Sequence, residues 1–178
     1  SIFEGTRLKI YDVEELTTHG GSLRVYGCHE ESGFNTTDRV YKQLQKEEKA
    51  GLLELKTYVQ FQQKAEKVKN ELLAFLVGKK MQGKSVAGYG AAAKGNTLLN
   101  YAGIKPDLLP YVCDAAPSKQ GNYMPGSHIP IFSPDYIKEQ GPDYVLILPW
   151  NIAAEVREQL SYIRDWDGKF IIGIPKLQ

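Results

Sequence analysis

The sequence contains little cysteine, and its cysteines are not spaced to bind a metal. Cys28 and Cys113 are the two cysteines among 178 residues, and neither belongs to a Cys-x-x-Cys pair. This spacing argues against a zinc site within the chain and against a framework of disulfides. We therefore predict that the protein is held in a reducing, cytoplasmic setting.

The chain also lacks an excess of charge of either sign and lacks a long apolar run. Its 22 basic and 21 acidic side chains leave a formal net charge of +1. This balance offers no electrostatic attraction for nucleic acid or for an anionic membrane. No apolar run approaches the roughly 20 residues of a membrane span. We therefore expect neither nucleic acid nor a membrane as a partner.

The N-terminal part of the sequence predicts a β-hairpin followed by helices. Residues 8–16 and 22–30 have strand composition, and the sequence THGGS between them is typical of a turn. A first helix is expected from about Asp38, with a break at Gly51. A second, long amphipathic helix is predicted from residue 55 because apolar side chains then recur at steps of three and four. The members of that apolar stripe are Phe61, Ala65, Val68, Leu72 and Phe75.

The C-terminal part alternates strand and helix patterns. Strands are predicted at residues 85–90, 108–114, 128–134, 143–150 and 169–176, with helices at 92–104, 135–140 and 152–166. Such alternation predicts a Rossmann-like, three-layer α/β fold, with a parallel sheet covered by helices on both faces. The third strand is bounded by prolines, so we expect it near a sheet edge.

The segment KSVAGYGAAAKGNT follows the pattern of a nucleotide-binding loop. Gly88, Gly90 and Ala93 match the fingerprint G-x-G-x-x-A between a strand and a helix. In that fingerprint the first glycine allows the tight turn, the second lets the backbone approach a phosphate, and a small third residue lets helix and strand pack closely. An alternative remains open, in which these residues serve packing alone.

Lys94 strengthens the prediction of an anion at this loop. It lies in the first turn of the predicted helix, where a cation opposes the helix dipole. A residue placed against its local preference indicates a partner, for which a phosphate is a good candidate. The simpler alternative is that its flexible stem carries the charge to water.

Further candidates lie where the predicted strands end, the edge at which open α/β sheets bind ligands, and they include the loop SKQGNYMPG (residues 118–126). Asp114 follows the second strand at the position of an acid that accepts a ribose hydroxyl. Two interpretations of Trp150 stay open, stacking on a base and covering the core. Two also stay open for Asn151, binding the ligand and capping a helix. No Ser-His-Asp or Cys-His arrangement can be assembled. The predicted ligand-binding residues are Gly88, Tyr89, Gly90, Ala91, Ala92, Lys94, Asn96, Thr97, Asp114, Lys119, Trp150 and Asn151.

Three long segments carry a resemblance to a known family. They are GYGAAAKGNTLLNYAGI, VCDAAPSKQGNYMPGSHIPI and DYVLILPWN, and they resemble the C-terminal domain of the sugar C-methyltransferase family. DVEELTTHGGSLRVYG is similar to the end of the central methyltransferase domain in that family. The resemblance implies three parts, namely a hairpin remnant of the catalytic domain (1–34), linking helices (35–82) and a Rossmann-like C-terminal domain (83–178).

The resemblance implies that the chain is a C-terminal fragment whose task is to bind the substrate, a nucleotide-linked keto-deoxysugar. Residues 88–97 would then hold its nucleotide or phosphate portion. S-adenosylmethionine and zinc are expected for the intact enzyme, and none of the family's motifs for them occurs in this chain. We therefore expect no cofactor bound by the fragment and no methyl transfer by it alone. His19 and Arg24 would lie near the catalytic pocket.

The family also implies the partners of the fragment. These are the sugar nucleotide and the missing N-terminal and central domains of the same chain, and a homodimer is kept open. Two other functions stay open on the residues alone. One is an NAD(P)-binding oxidoreductase domain, which the fingerprint and Asp114 favour. The other is a non-catalytic structural module.

Overall fold

The computed structural model describes residues 2–177, and of Glu4 and His19 it describes the backbone alone. The chain divides into two compact units, Ser1–Gln62 and Gln63–Gln178. None of the described helices is both long enough and apolar enough to cross a membrane.

The first unit contains the predicted hairpin. A short helix α1 (Ile2–Gly5) precedes strands β1 (Leu8–Leu16) and β2 (Ser22–His29), which pair antiparallel on either side of a 3₁₀ turn (Thr18–Gly20). Helix α2 (Asp38–Lys49) follows, and α3 (Leu55–Met81) begins after a turn in which Gly51 has a φ of +75°. The expected hairpin and the break at Gly51 are both confirmed.

A buried carboxylate fastens the hairpin to the start of α2. Oδ1 of Asp12 accepts hydrogen bonds from Oγ1 of Thr37 at 2.6 Å and from Nε of Arg39 at 2.8 Å, and Arg39 also pairs with Oδ2. The hydrogen bond from Arg39 is the largest cause of a lowered pKa at Asp12. The hairpin is therefore joined to the start of α2 by an ion pair and a hydrogen bond to Thr37.

The second unit contains a five-stranded parallel sheet within the described residues. Its strands are β3 (Val86–Tyr89), β4 (Val112–Cys113), β5 (Ile131–Phe132), β6 (Tyr144–Ile147) and β7 (Lys169–Ile172), in the order β5-β4-β3-β6-β7. The helices that follow strands are α4 (Ala93–Ala102), α5 (Asp135–Gln140) and α6 (Ala153–Gln159). The predicted mixed α/β fold is confirmed, and the proline-bounded strand β5 lies at an edge as expected.

Each face of the sheet is covered by its own core. Leu146 and Leu148 point to one face and pack in a cluster with Leu72 of α3 and Leu99 of α4. Val145 and Ile147 point to the other face, where the cluster includes these buried residues: Cys113, Ile137, Val156, Leu160 and Ile163. Burial on both faces explains why the strand around residues 144–148 is continuously apolar rather than alternating.

Every predicted strand of the sheet is shorter in the structure, and the one expected at 128–134 keeps only Ile131–Phe132. The strand expected at 108–114 is reduced to Val112–Cys113, because Pro110 has no N–H for a ladder and Leu109 instead closes a turn on Lys105. The helix expected at 152–166 ends at Gln159 and continues as a 3₁₀ helix, Ser161–Trp166. Ile152, the first residue of the expected helix, precedes α6 as its N-cap and is 38% exposed.

Asp143 lies just before β6 and binds the two residues that precede β3. Its Oδ1 accepts a hydrogen bond from Nζ of Lys84 at 2.7 Å, and its Oδ2 accepts from N and Oγ of Ser85, both at 2.9 Å. The hydrogen bond from Lys84 is the main reason that the pKa of Asp143 falls from 3.8 to about 2.

We expect the stability advantage of the wild type over Asp143→Asn to shrink as the pH falls from about 4 to 2. The folded-state pKa lies below the unfolded value, so the carboxylate's contribution is complete above pH 3.8 and is lost as the pH falls through about 2. Because the pair is partly exposed, the contribution is at most about 1 kcal/mol. Urea unfolding of both proteins at several pH values measures it, and a difference independent of pH would contradict the assignment.

Candidate functional site

The tight turn after β3 is made by Gly90. Its φ is +87°, and a Cβ built there would lie 2.5 Å from Cδ of Pro149. Its N–H donates to the carbonyl of Cys113 at 2.7 Å, which holds the turn against β4. Both the backbone conformation and the close approach of Pro149 therefore require glycine.

Gly88 does not make the turn, so its predicted role was wrong. It lies within β3, and a Cβ there would come within 2.8 Å of Cγ2 of Val112. Gly88 thus gives room to the neighbouring strand. The first glycine of the fingerprint therefore serves sheet packing, and the second glycine, Gly90, makes the turn.

The small residue that lets helix and sheet approach is Gly95 rather than Ala93. Ala93 is exposed, whereas Gly95 is buried. A Cβ at Gly95 would lie 2.6 Å from Cβ of Leu148. The role expected of Ala93 was therefore wrong. In the Lys94-Gly95 pair, Lys94 is an exposed charge and Gly95 packs against the sheet.

Helix α4 begins without a capping side chain among the residues that the structure describes. Its N-cap is Ala92, and its first turn contains no acid. The exposed Lys94 has its Nζ 5.9 Å from the centre of the Trp150 ring. The first turn of a helix has N–H groups that the helix itself does not pair, so this end attracts an anion.

Asp114 holds the loops around this end of α4. Its Oδ2 accepts hydrogen bonds from N of Ala91 at 2.7 Å and from Nζ of Lys119 at 3.0 Å, and its Oδ1 accepts from N of Ala116 at 2.8 Å. The residue is only 7% exposed. Asp114 therefore acts inside the protein, as the link that fixes the turn after β3 to the loop after β4.

A cleft of about 390 Å³ opens between the start of α4 and the loop before β5. This volume is within the range of small-molecule sites. Oδ1 of Asn96 is buried and has no hydrogen-bond partner among the described residues, which calls for a partner from water or ligand. The cleft is lined by Ala91, Ala92, Ala93, Asn96, Ser118, Lys119, Asn122, Tyr123, Met124, Pro125 and Ile131.

The predicted site residues do not all meet at this cleft. Ala91, Ala92, Asn96 and Lys119 line it. Tyr89 is buried in the core of the opposite sheet face. The hydroxyl of Thr97 donates to the carbonyl of Ala93 in its own helix at 3.1 Å.

Two further predicted residues follow β6. Trp150 and Asn151 lie in the 3₁₀ helix Trp150–Ile152. Asn151 is exposed and does not cap α6, whose N-cap is Ile152. The capping alternative for Asn151 was therefore wrong, and its role as a ligand residue stays a prediction.

Most of the lining residues outside the predicted set belong to the loop of residues 118–126, which was expected at this edge as a whole; the other two are Ala93 and Ile131. Ser118, Asn122, Tyr123, Met124 and Pro125 line the cleft, but of this loop only Lys119 was predicted as a site residue. The available signal was the position of the whole loop at the carboxyl end of a strand. Which of its side chains face a cleft depends on how the loop folds back.

His19 and Arg24 belong to the first unit. The side chain of His19 lies outside the described residues. Arg24 donates to Oε2 of Glu14 at 3.0 Å, and Tyr26 donates to the same oxygen at 2.9 Å. The position of His19 and Arg24 near a catalytic pocket stays a prediction.

The described residues contain no group of three or more histidine, cysteine, aspartate or glutamate side chains that could hold a metal ion. They therefore do not fit the zinc expected for an intact enzyme. Cys113 is fully buried, and this burial raises the pKa of its thiol to about 12. A thiol of that pKa is not a nucleophile at neutral pH, so Cys113 serves the core.

The chain resembles a family of known proteins along nearly its whole length. Residues 17–175 match the model of a family described as the C-methyltransferase C-terminal domain. The chain is also 34% identical over 176 residues to the C-methyltransferase NovU of Streptomyces niveus. The match covers 99% of this chain and 42% of NovU, so the chain spans less than half the length of that relative. The chain belongs to the C-methyltransferase C-terminal domain family.

Proposed function

We propose that this chain is the substrate-binding part of an S-adenosylmethionine-dependent methyltransferase that C-methylates a nucleotide-linked keto-deoxysugar. The observation that carries the proposal is the start of α4, which lies beside the cleft and combines an uncapped N-terminus with Lys94. This end of the helix suits the phosphates of a sugar nucleotide. Membership of a C-methyltransferase family supports the class of reaction.

Three features support a phosphate at the start of α4. Ala91 and Ala92 leave room for a close approach to the backbone. Lys94 contributes a positive charge near Trp150. The third feature is the uncapped N-terminus of α4, whose first N–H groups are not paired within the helix. Lys94 and the helix N-terminus together favour an anionic ligand, whereas the ammonium of Lys119 is paired with Asp114 at 3.0 Å.

In the proposed enzyme this chain binds and orients the substrate. A base outside the chain removes the proton alpha to the sugar's keto group, which is ordinary general-base chemistry. The enolate carbon so formed then attacks the methyl group that S-adenosylmethionine supplies. Holding the nucleotide fixes the position of the reacting carbon, and accurate positioning accounts for much of the rate enhancement in such reactions.

The arrangement around Asp114 weighs against a nicotinamide-binding oxidoreductase. In that function a carboxylate after the second strand accepts the ribose hydroxyls. Both carboxylate oxygens of Asp114 already accept hydrogen bonds from the protein, at 2.7 to 3.0 Å. A titration with NADH provides the direct comparison.

We expect Lys94→Ala to weaken binding of thymidine 5′-diphosphate by about 1.5–3 kcal/mol, the contribution typical of a charged hydrogen bond. Isothermal titration of the whole chain measures the affinity. Lys80→Ala is the matched control, because Lys80 is also exposed and pairs with Asp107 at 3.7 Å, away from the cleft. Unchanged affinity in Lys94→Ala would contradict the phosphate contact, and binding of NADH without binding of the nucleotide would overturn the proposal.

A further inference from the structure

Tyr123 is an exposed aromatic residue on a rigid support. Its side chain is 63% exposed and lines the cleft. It lies on a short hairpin in which Met124 N donates to the carbonyl of Ile129 at 2.8 Å, and Ile131 N donates to that of Asn122 at 2.9 Å. Tyr123 itself forms an antiparallel bridge with Pro130. A large ring held in this way is available to a ligand with little cost in backbone entropy.

Other contacts fasten the same hairpin at its tip. Nδ2 of Asn100 donates to the carbonyl of Pro125 at 2.8 Å, and Nζ of Lys105 donates to the carbonyl of Gly126 at 2.5 Å. Met124, next to the exposed ring, is only 2% exposed and belongs to the core. The backbone of the hairpin is therefore anchored on both sides of Tyr123, and the exposed ring lines the cleft.

The walls of the cleft suit a flat, weakly polar group. Most of the lining side chains are small or apolar, and they include Ala91, Ala92, Met124 and Pro125. Among the residues that the structure describes, the lining contains no carboxylate, and the ammonium of Lys119 in it is paired with Asp114. A nucleobase offers an apolar face for the small and apolar side chains and a polar edge for the amides of Asn96 and Asn122.

We propose that the cleft holds the nucleobase of the substrate, with the base stacked on Tyr123. This inference rests on the proposed function. In that function the reacting sugar carbon must stay open to the methyl donor, so the cleft receives the opposite end of the molecule. The phosphates at the start of α4 then lie between the base in the cleft and the sugar outside it.

The test uses thymidine 5′-diphosphate and the whole chain. We expect Tyr123→Ala to weaken binding by about 5-fold to 150-fold, the range of one base stacked on an aromatic ring. Tyr123→Phe keeps the stacking ring and should bind within about 2-fold of the wild type. Saturation transfer measured by NMR should be strongest at the C5 methyl group and H6 of the thymine, and Tyr123→Ala should reduce it.

Two controls separate stacking from other effects. Tyr101→Ala removes a tyrosine that is 45% exposed and does not line the cleft, so its affinity should match that of the wild type. Deoxyribose 5-phosphate has no base, so its weak binding should not depend on Tyr123. Thermal unfolding checks that each variant remains folded, as expected for an exposed side chain.

The outcomes distinguish this inference from the proposed function. Tight nucleotide binding that is unaffected by Tyr123→Ala would overturn the base assignment alone. Saturation transfer centred on the sugar of the intact nucleotide sugar would do the same and would favour the reverse orientation. If neither thymidine 5′-diphosphate nor the intact nucleotide sugar bound detectably, both the base assignment and the proposed function would be overturned.

Discussion

Asp114→Ala is expected to lower the free energy of unfolding by about 2–4 kcal/mol, because a partly buried donor left without its acceptor costs about 1–3 kcal/mol. The change removes the acceptor of N–H groups on Ala91 and Ala116. It also releases Lys119, whose ammonium can reach water since the side chain is 42% exposed. Denaturant unfolding of the purified chain measures the loss.

The same change should abolish ligand binding at the cleft. Asp114 is the link between the turn after β3 and the loop after β4, and these two segments form opposite walls of the cleft. Without the link the two walls are no longer fixed in position, so binding should fall even under conditions in which the variant is folded. Titration with thymidine 5′-diphosphate at low temperature provides this measurement.

Asp107→Ala is the matched control. Asp107 is 64% exposed and meets Lys80 at 3.7 Å, so removing it should change the stability by less than about 0.5 kcal/mol. If Asp114→Ala proved as mild as Asp107→Ala, the hydrogen bonds of Asp114 would not be what holds the two loops.

Gly95→Ala is expected to destabilise the chain by about 1–3 kcal/mol, the usual cost of overpacking a core. The new Cβ would meet Cβ of Leu148 at 2.6 Å, and Leu148 is itself buried in the sheet core. Alanine favours a helix over glycine by about 1 kcal/mol, so the clash must exceed that gain. Thermal or denaturant unfolding measures the net effect.

The chain offers a direct control in Gly78. This glycine lies in α3, and a Cβ there would meet nothing within 4 Å. Gly78→Ala should therefore raise the stability by about 0.5–1 kcal/mol through helix propensity alone. Two glycine-to-alanine changes in helices would then have opposite signs. A stabilising Gly95→Ala would show that α4 can move away from the sheet without loss.

The elements themselves were predictable, because their signals are local. The turn THGGS between two strand-like segments predicts the hairpin, and the steps of three and four from Phe61 to Phe75 predict α3. The alternation of strand and helix patterns after residue 85 predicts the parallel sheet. The two patterns can be told apart because apolar side chains recur with different periods in a strand and in a helix. Errors arose at ends, as at Gln159, where backbone geometry rather than composition ends the helix.

The candidate site was only partly predictable, because its residues are selected by distant neighbours. Gly88, Gly90 and Gly95 look alike in the sequence, but they give room to Val112, Pro149 and Leu148, respectively. The fingerprint correctly indicated where the turn and the helix meet. It could not say which glycine makes the turn.

The sequence by itself determined the class of this protein, namely the α/β fold with its hairpin and the family that its long segments resemble. These properties follow from residue patterns that are read along the chain. Only the tertiary structure decided that Asp114 is a link inside the protein and that Tyr123 forms a wall of the cleft. Both roles depend on contacts across the sheet edge between segments far apart in sequence, and no local pattern records which atoms will meet there.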